Sequence, residues 1–303
     1  MSGLVNLGNT CYINSVLQIL HALDELNDYI HTGQPKNLDD AIFPMEWNDL
    51  RQIMDKKVTI SPKLFIHKNK ILFEKKHRTE FLHHAQGDAS EYFMFALECI
   101  HNSYNLNDVN PAKEVKDYEK KEYSIVTRLF LSMLEVSYAD KVKVVSTNHE
   151  AQWAMDLPLP DQSALSLYDC LDAYFKEEYL NGDNRWYDEK EDVKKEVTRR
   201  SVLVHCPVIL VLNLKRWLGF TKKNNSLVSL RPYLDMSNYA SEKVGYELFG
   251  IINHIGTLRG GHYYVCIKKK QSWYNINDEH ITPIAFDRVV CPNNYCLFYR
   301  KLK

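Results

Sequence analysis

The chain has 303 residues, with 38 Lys and Arg against 39 Asp and Glu, 45% apolar residues and 25% charged ones. That profile fits a soluble globular protein built as one large domain with subdomains, or at most two domains. A formal net charge of -1 argues against a general nucleic-acid or membrane surface, which usually carries a marked basic excess.

In chain order, the first predicted helix starts near Tyr12. Ile13, Val16, Leu17, Leu20 and Leu23 recur at steps of three and four and mark its buried face. A second helix is predicted after Asp88, with Phe93, Ala96, Leu97 and Ile100 as its stripe, so the first hundred residues read as mainly helical. Residues 105–122 are polar and charged. Segments 123–136 and 142–145 read as β-rich, 167–174 as a short helix, and the charged stretch 188–200 as a surface loop or exposed edge. After Ser201 the pattern is that of strands: 208–214, 249–255, 263–267, 273–276 and 295–299. Helices first and strands last predict an α+β fold, and no repeat of fixed period is present.

The seven cysteines, Cys11, Cys99, Cys170, Cys206, Cys266, Cys291 and Cys296, include no Cys-x-x-Cys pair. A disulfide framework and a zinc site built on such pairs are both disfavoured. There is no basic stretch leading into an apolar run at the N-terminus and no run of eighteen apolar residues. The reading is an intracellular, reduced protein, cytoplasmic with the nucleus left open.

Cys11 falls at the N-terminus of the first helix, where unpaired backbone N–H groups and the helix dipole favour a thiolate. The competing reading is a small buried cysteine at a helix start. A cysteine nucleophile needs a base, at neutral pH usually His. His262 opens a strand after the glycine-rich stretch 256–261, a position from which an imidazole can project into a cleft; taken alone, the ordinary surface or hydrogen-bonded His is the favoured reading. His254, between Ile252 and Ile255, reads as a structurally satisfied strand residue. Downstream, Trp273-Tyr274-Asn275-Ile276-Asn277-Asp278 ends a strand in side chains able to orient an imidazole, or simply in a polar turn. If strand alternation persists, Asn277 and Asp278 point to opposite faces and only one can meet His262.

Together these residues resemble the ubiquitin-specific proteases, papain-like cysteine deubiquitinases. Residues 3–15 resemble that family's Cys box. Gln86-Gly87-Asp88-Ala89-Ser90-Glu91-Tyr92 is similar to its Gln-Asp-Ala-x-Glu-Phe element, and 206–217 to the segment ending in Leu-Lys-Arg-Phe. Residues 246–264 with 273–278 resemble the His box, and 294–299 the terminal strand. The resemblance runs in the family's order over nearly the whole chain. It implies Cys11 as nucleophile, His262 as general base, Asn277 as its orienting residue, Asn6 as oxyanion donor and Asp278 as a further acidic residue beside the triad. It also implies ubiquitin as partner, with Gln86, Asp88, Glu91 and Tyr263 contacting its basic, glycine-ended tail. For Asp88 and Glu91 a capping box at the second helix is the rival role.

The sequence departs from the family in the β-rich fingers, where two Cys-x-x-Cys pairs, one before Ser146 and one near 185–190, have no counterpart. No metal or other cofactor is therefore expected. The predicted organisation is a single catalytic domain: a helical thumb over 1–104, fingers over 105–200 and a β palm over 201–303, monomeric, with no nucleic-acid or membrane partner. A non-catalytic ubiquitin-binding module and a metal-binding interaction protein are the alternatives. Neither His83-His84 nor His67 with His77 has a ligand spacing that favours the latter.

Overall fold

The first helix, α1 (Cys11–His21), is buried over every residue from Cys11 to Leu20, including the polar Asn14, Ser15 and Gln18. It is therefore an internal helix rather than the one-sided one its apolar stripe predicts, because the helix Ala89–Tyr104 covers one side and the largest sheet the other. Leu23, expected as the last residue of that stripe, lies beyond the helix end and is buried just before the next helix. This computed structural model describes residues 1–82, 86–104, 123–162, 164–219, 222–257 and 260–303. His83, His84 and the polar stretch 105–122 lie outside them.

The helices α2 (Asp24–Thr32), α3 (Ile42–Met54), α4 (Lys63–Lys75) and α5 (Ala89–Tyr104) form one body with α1. Their shared interior is aromatic: Tyr12, Phe73, Phe81, Tyr92 and Phe95 meet mostly edge-on or tilted, at 5.3 to 6.2 Å between ring centroids. Residues 123–130, read as strand, hold instead a helix, α6 (Ile125–Phe130). The β-branched run Ile125-Val126-Thr127 favours a strand, but the Ser124 hydroxyl accepts from the N–H groups of Val126 and Thr127 and caps a helix. α6 packs on α5 and α2.

The middle of the chain supplies β1 (Ser132–Ala139), β2 (Val144–Gln152), β3 (Met155–Leu157), β4 (Leu165–Ser166), α7 (Leu167–Tyr174), β5 (Glu178–Leu180), β6 (Trp186–Asp188), β7 (Val193–Lys195) and β8 (Val197–His205). The last third supplies β9 (Ile209–Leu214), β10 (Trp217–Leu218), β11 (Lys222–Lys223), β12 (Val228–Ser229), β13 (Tyr233–Asp235), β14 (Gly245–Thr257), β15 (Gly260–Lys269), β16 (Ser272–Asn277), β17 (His280–Ile284), α8 (Phe286–Val289) and β18 (Asn294–Lys301). Among the described residues these form a four-stranded sheet, β2-β1-β8-β5, and an eight-stranded sheet, β17-β16-β15-β14-β18-β9-β3 with β13 also on β14.

The stretch 188–200 is a correction. It holds part of the β6–β7 hairpin and the first half of β8, which pairs with β1 on one side and β5 on the other. Val197, Ser201 and Leu203 turn inward; Arg199 shares their face and lies 3.8 Å from Glu178, while Arg200 is on the solvent face, 3.5 Å from Glu177. β8 also runs across the expected boundary at residue 200, and β3 belongs to the eight-stranded sheet.

The eight-stranded sheet separates two cores. Along β14 and β18, Ile252 and Phe298 face the helices while Ile251 and Leu297 face the other way, as the two-residue period demands. α1 lies across β15, which brings residue 11 against residue 263.

Candidate active site

The loop before α1 folds around one carboxamide. Gly8 and Asn9 both have positive φ, 92° and 55°, and this reversal lets the Asn6 Oδ1 accept from the N–H groups of Gly8 and Thr10 at 3.0 and 3.2 Å. The Asn6 Nδ2 is thereby turned the other way, donating to Asp278 Oδ2 at 3.0 Å. One of its two hydrogens remains free for a second acceptor.

Cys11 follows, buried, its Sγ accepting from the backbone N–H of Tyr263 at 3.5 Å and from Gln86 Nε2 at 3.3 Å. Burial pushes its thiol above the usual cysteine range, the two donors oppose that, and the Asp278 carboxylate adds to it. Removal from water therefore works against the thiolate that the helix end favours. Cys11 needs a base at the moment of attack.

His262 is the residue before Tyr263, on β15. Its Nε2 lies 2.6 Å from Asn277 Oδ1 on the paired strand β16. A carboxamide oxygen only accepts, so Nε2 carries the hydrogen and Nδ1 of the neutral ring is left to take a proton. Asp278 does not continue the strand. Its φ of 50° places it in the left-handed region, which breaks the alternation that predicts opposite faces. Its carboxylate accepts from Asn14 Nδ2 at 2.8 Å through Oδ1 and from Asn6 through Oδ2, which lies 3.9 Å from His262 Nε2. Both neighbours therefore reach the imidazole, one by a hydrogen bond and one by charge. The Asp278 carbonyl also accepts from Leu4 N–H, tying the N-terminal segment to the turn.

Asn14 is the residue that sequence reasoning passed over. Its amide also reaches the Leu4 carbonyl, so it joins the loop before Cys11 to Asp278. Its only signal was a polar side chain in a largely apolar helix, one turn after the cysteine.

Three of the four expected tail residues share a second network. The Gln86 carboxamide pairs with both backbone groups of Gly261, at 2.6 and 2.8 Å. Gly261 must be glycine because a Cβ there would collide with the His254 ring. Asp88 Oδ1 caps α5 by accepting from Ser90 and Glu91 N–H, and Oδ2 accepts from the hydroxyls of Tyr263 and Tyr295 at 3.1 and 2.9 Å. Tyr263 is buried, its ring 4.6 Å from that of His254. Glu91 stands apart: it is exposed, and its carboxyl is held above its usual range by partial burial and by Asp88. His254 is itself buried, accepting at Nδ1 from Lys223 Nζ at 2.9 Å, and burial with that ammonium lowers its pKa to about 4.

The ends of the four-stranded sheet, where the resembled family carries metal-binding cysteine pairs, do not fit a metal. Lys195 Nζ lies 2.8 Å from Asp188 and 2.6 Å from Glu191, and Trp186 stacks on Tyr138 at 5.5 Å. Among the described residues no cluster of three His, Cys, Asp or Glu side chains is placed to bind an ion.

A family model described as ubiquitin carboxyl-terminal hydrolase matches residues 2–299. The chain is 27% identical to ubiquitin carboxyl-terminal hydrolase 2 of Homo sapiens over 99% of its own length and 55% of that protein. It is also 27% identical to ubiquitin carboxyl-terminal hydrolase 8 of Saccharomyces cerevisiae, covering 99% of this chain and 70% of the relative. The chain thus spans about half the length of the human relative. Among solved structures, the SAGA DUB module of Ubp8, Sgf11, Sus1 and Sgf73 bound to monoubiquitin matches with a TM-score of 0.80 at 25% identity, over 100% of this chain and 69% of that one.

Proposed function

This chain belongs to the ubiquitin carboxyl-terminal hydrolase family, and from that premise we propose that it hydrolyses the peptide or isopeptide bond after the C-terminal glycine of ubiquitin. The observation that carries the reading is the meeting of Cys11, the His262–Asn277 pair and the Asn6–Asp278 pair, drawn from opposite ends of the chain.

The steps follow from the atoms present. His262 Nδ1 takes the Cys11 proton as Sγ attacks the carbonyl carbon, and the resulting imidazolium is held by Asn277 Oδ1 and the nearby Asp278 carboxylate. The oxyanion is met by the free Asn6 Nδ2 hydrogen, aimed in advance because Asp278 holds the other. His262 then returns the proton to the leaving amine. An acyl thioester remains on Cys11. Water, deprotonated by His262, attacks it and releases the ubiquitin carboxylate and the thiol.

In this reading the helices up to Tyr104, together with α6, form the thumb, the four-stranded sheet the fingers and the eight-stranded sheet the palm. Asp88 acts on the tail chiefly by fixing the start of α5 and the Tyr263 and Tyr295 hydroxyls, whereas exposed Glu91 is placed to meet a basic side chain. The enzyme is proposed to work as a monomer inside the cell, without metal. Reaction with ubiquitin bearing a thiol-reactive C-terminal electrophile tests the reading: the expected result is one adduct, located at Cys11. Tight ubiquitin binding with no adduct would instead make the chain a binding module.

A further inference from the structure

Two regions flank Cys11. The first, toward the eight-stranded sheet, carries Gln86, Asp88 and Tyr263, the expected tail residues. The second lies on the opposite side of Tyr12, whose ring stacks on Phe81 at 5.9 Å and is closely approached by Gly87, so that a solid wall divides the two. This second groove, with a volume of about 350 Å³, runs between the loop 7–10 and α4. Lys63, His67 and Lys70 border it at helical spacing i, i+4 and i+7, all exposed, with Ile66 between them. No Asp or Glu lines it, and among the described residues Lys63, His67 and Lys70 have no ion-pair or hydrogen-bond partner. Beside it on α4, Leu64 and Ile71 are 63% and 57% exposed.

We propose that this groove seats the leaving side of the substrate: a stretch of the conjugated polypeptide that carries carboxylates beside the scissile lysine. The proposal rests on the hydrolytic reading above and adds a choice among conjugates. The groove is lined by the loop 7–10 that precedes Cys11 and by Tyr12 that follows it, so a chain departing from the carbonyl on Cys11 leaves beside it. The charges on the two sides are opposed, with Glu91 and Asp88 on the tail side and ammonium groups on this one. A basic tail and an acidic leaving segment are therefore each met by complementary charge, and the reverse orientation is disfavoured. Ile66, Leu64 and Ile71 add apolar contact for side chains between the carboxylates.

The test compares ubiquitin joined through an isopeptide bond to lysine-centred peptides with acidic or basic flanks, alongside ubiquitin carrying a small fluorogenic amine. The wild type is expected to cleave the acidic-flank conjugate about tenfold faster in kcat/KM than the basic one, as two partly screened pairs allow. Raising the salt to about 0.5 M should shrink that ratio toward one. Lys63→Glu combined with Lys70→Glu should reverse the preference while turnover of the fluorogenic substrate holds. Indifference of the wild type to the flanks would overturn the groove assignment and leave the hydrolytic reading standing. So would parallel loss of peptide and fluorogenic turnover in the double variant. A wild type inert on the fluorogenic substrate would remove both readings.

Discussion

The seam between the helices and the eight-stranded sheet is held in a different way from the four-stranded sheet. Across the seam, side chains distant in sequence bond one another: Asn6 with Asp278, Asn14 with Asp278, and Asp88 with Tyr263 and Tyr295. In the four-stranded sheet the joining is done by backbone ladders between β1, β2, β5 and β8, and its side-chain ion pairs are largely exposed. A ladder is made by any residue except proline, whereas a partly buried network of specific side chains fails when one member is lost. The same chain thus contains one region tolerant of substitution and one that is not.

The sharpest break of this contrast is Cys11→Ala. It should lower turnover by at least about 10⁴-fold while ubiquitin affinity, read by titration, stays near wild type. In the intact enzyme the raised thiol pKa means that alkylation of Cys11 keeps accelerating with pH beyond about 9. A rate already level at pH 7 would reveal a preformed thiolate and contradict the burial argument.

Next in size, Asn6→Ala and Asp278→Ala should each cost about 10²- to 10³-fold in kcat with little change in ubiquitin affinity, since one supplies the oxyanion donor and the other aims it. Asn277→Ala should also lose activity, and Asn277→Asp should keep more of it, because a carboxylate accepts from Nε2 as well. An inactive Asp278→Ala beside a neutral Asn277→Ala would move the orienting role to Asp278.

A third effect is on stability. The folded pKa of His254, about 4, lies below its unfolded value, so the unfolded chain takes up the proton first. Stability from this group is complete above about pH 6.5 and is lost as the pH falls toward 4, by about 3 kcal/mol in total. Denaturant titrations at several pH values should show this slope, flattened in His254→Gln; an unchanged slope would assign it elsewhere. The smallest effect belongs to the tolerant region. Trp186→Ala should cost about 1 kcal/mol through its stack on Tyr138 and leave turnover within about twofold. Chelators should change neither fold nor turnover, and one zinc per chain lost with the fold would contradict the metal-free sheet end.

Much of this was legible in the sequence where one physical cause acts alone. The apolar steps of α1 and α5, the continuous run of β9 and the strands carrying His262 and Asn277 were readable, because burial sets their pattern. The misreadings arise where two causes compete. In α6 a serine cap overrides β-branched residues, and in β8 adjacent arginines on both faces hide an inward alternation. At Asp278 one left-handed residue cancels the strand period on which the comparison with Asn277 was built. At Cys11 burial opposes the helix end, a balance that no local pattern records. Asn14 was missed because its partner is 264 residues away, and nothing in its own neighbourhood announces Asp278.

The separation between Cys11 and Tyr263 has a consequence during synthesis. Tyr263, whose N–H donates to the sulfur, is 252 positions downstream of it, and at ordinary translation speeds that distance takes roughly 10 to 50 s to make. Throughout that interval the ribosome-bound chain carries a cysteine with neither imidazole nor orienting amide, as inert as any other thiol. The site is assembled only when β15 and β16 have emerged and closed on α1, so a chain that ends before them lacks His262 and Asn277 beside Cys11.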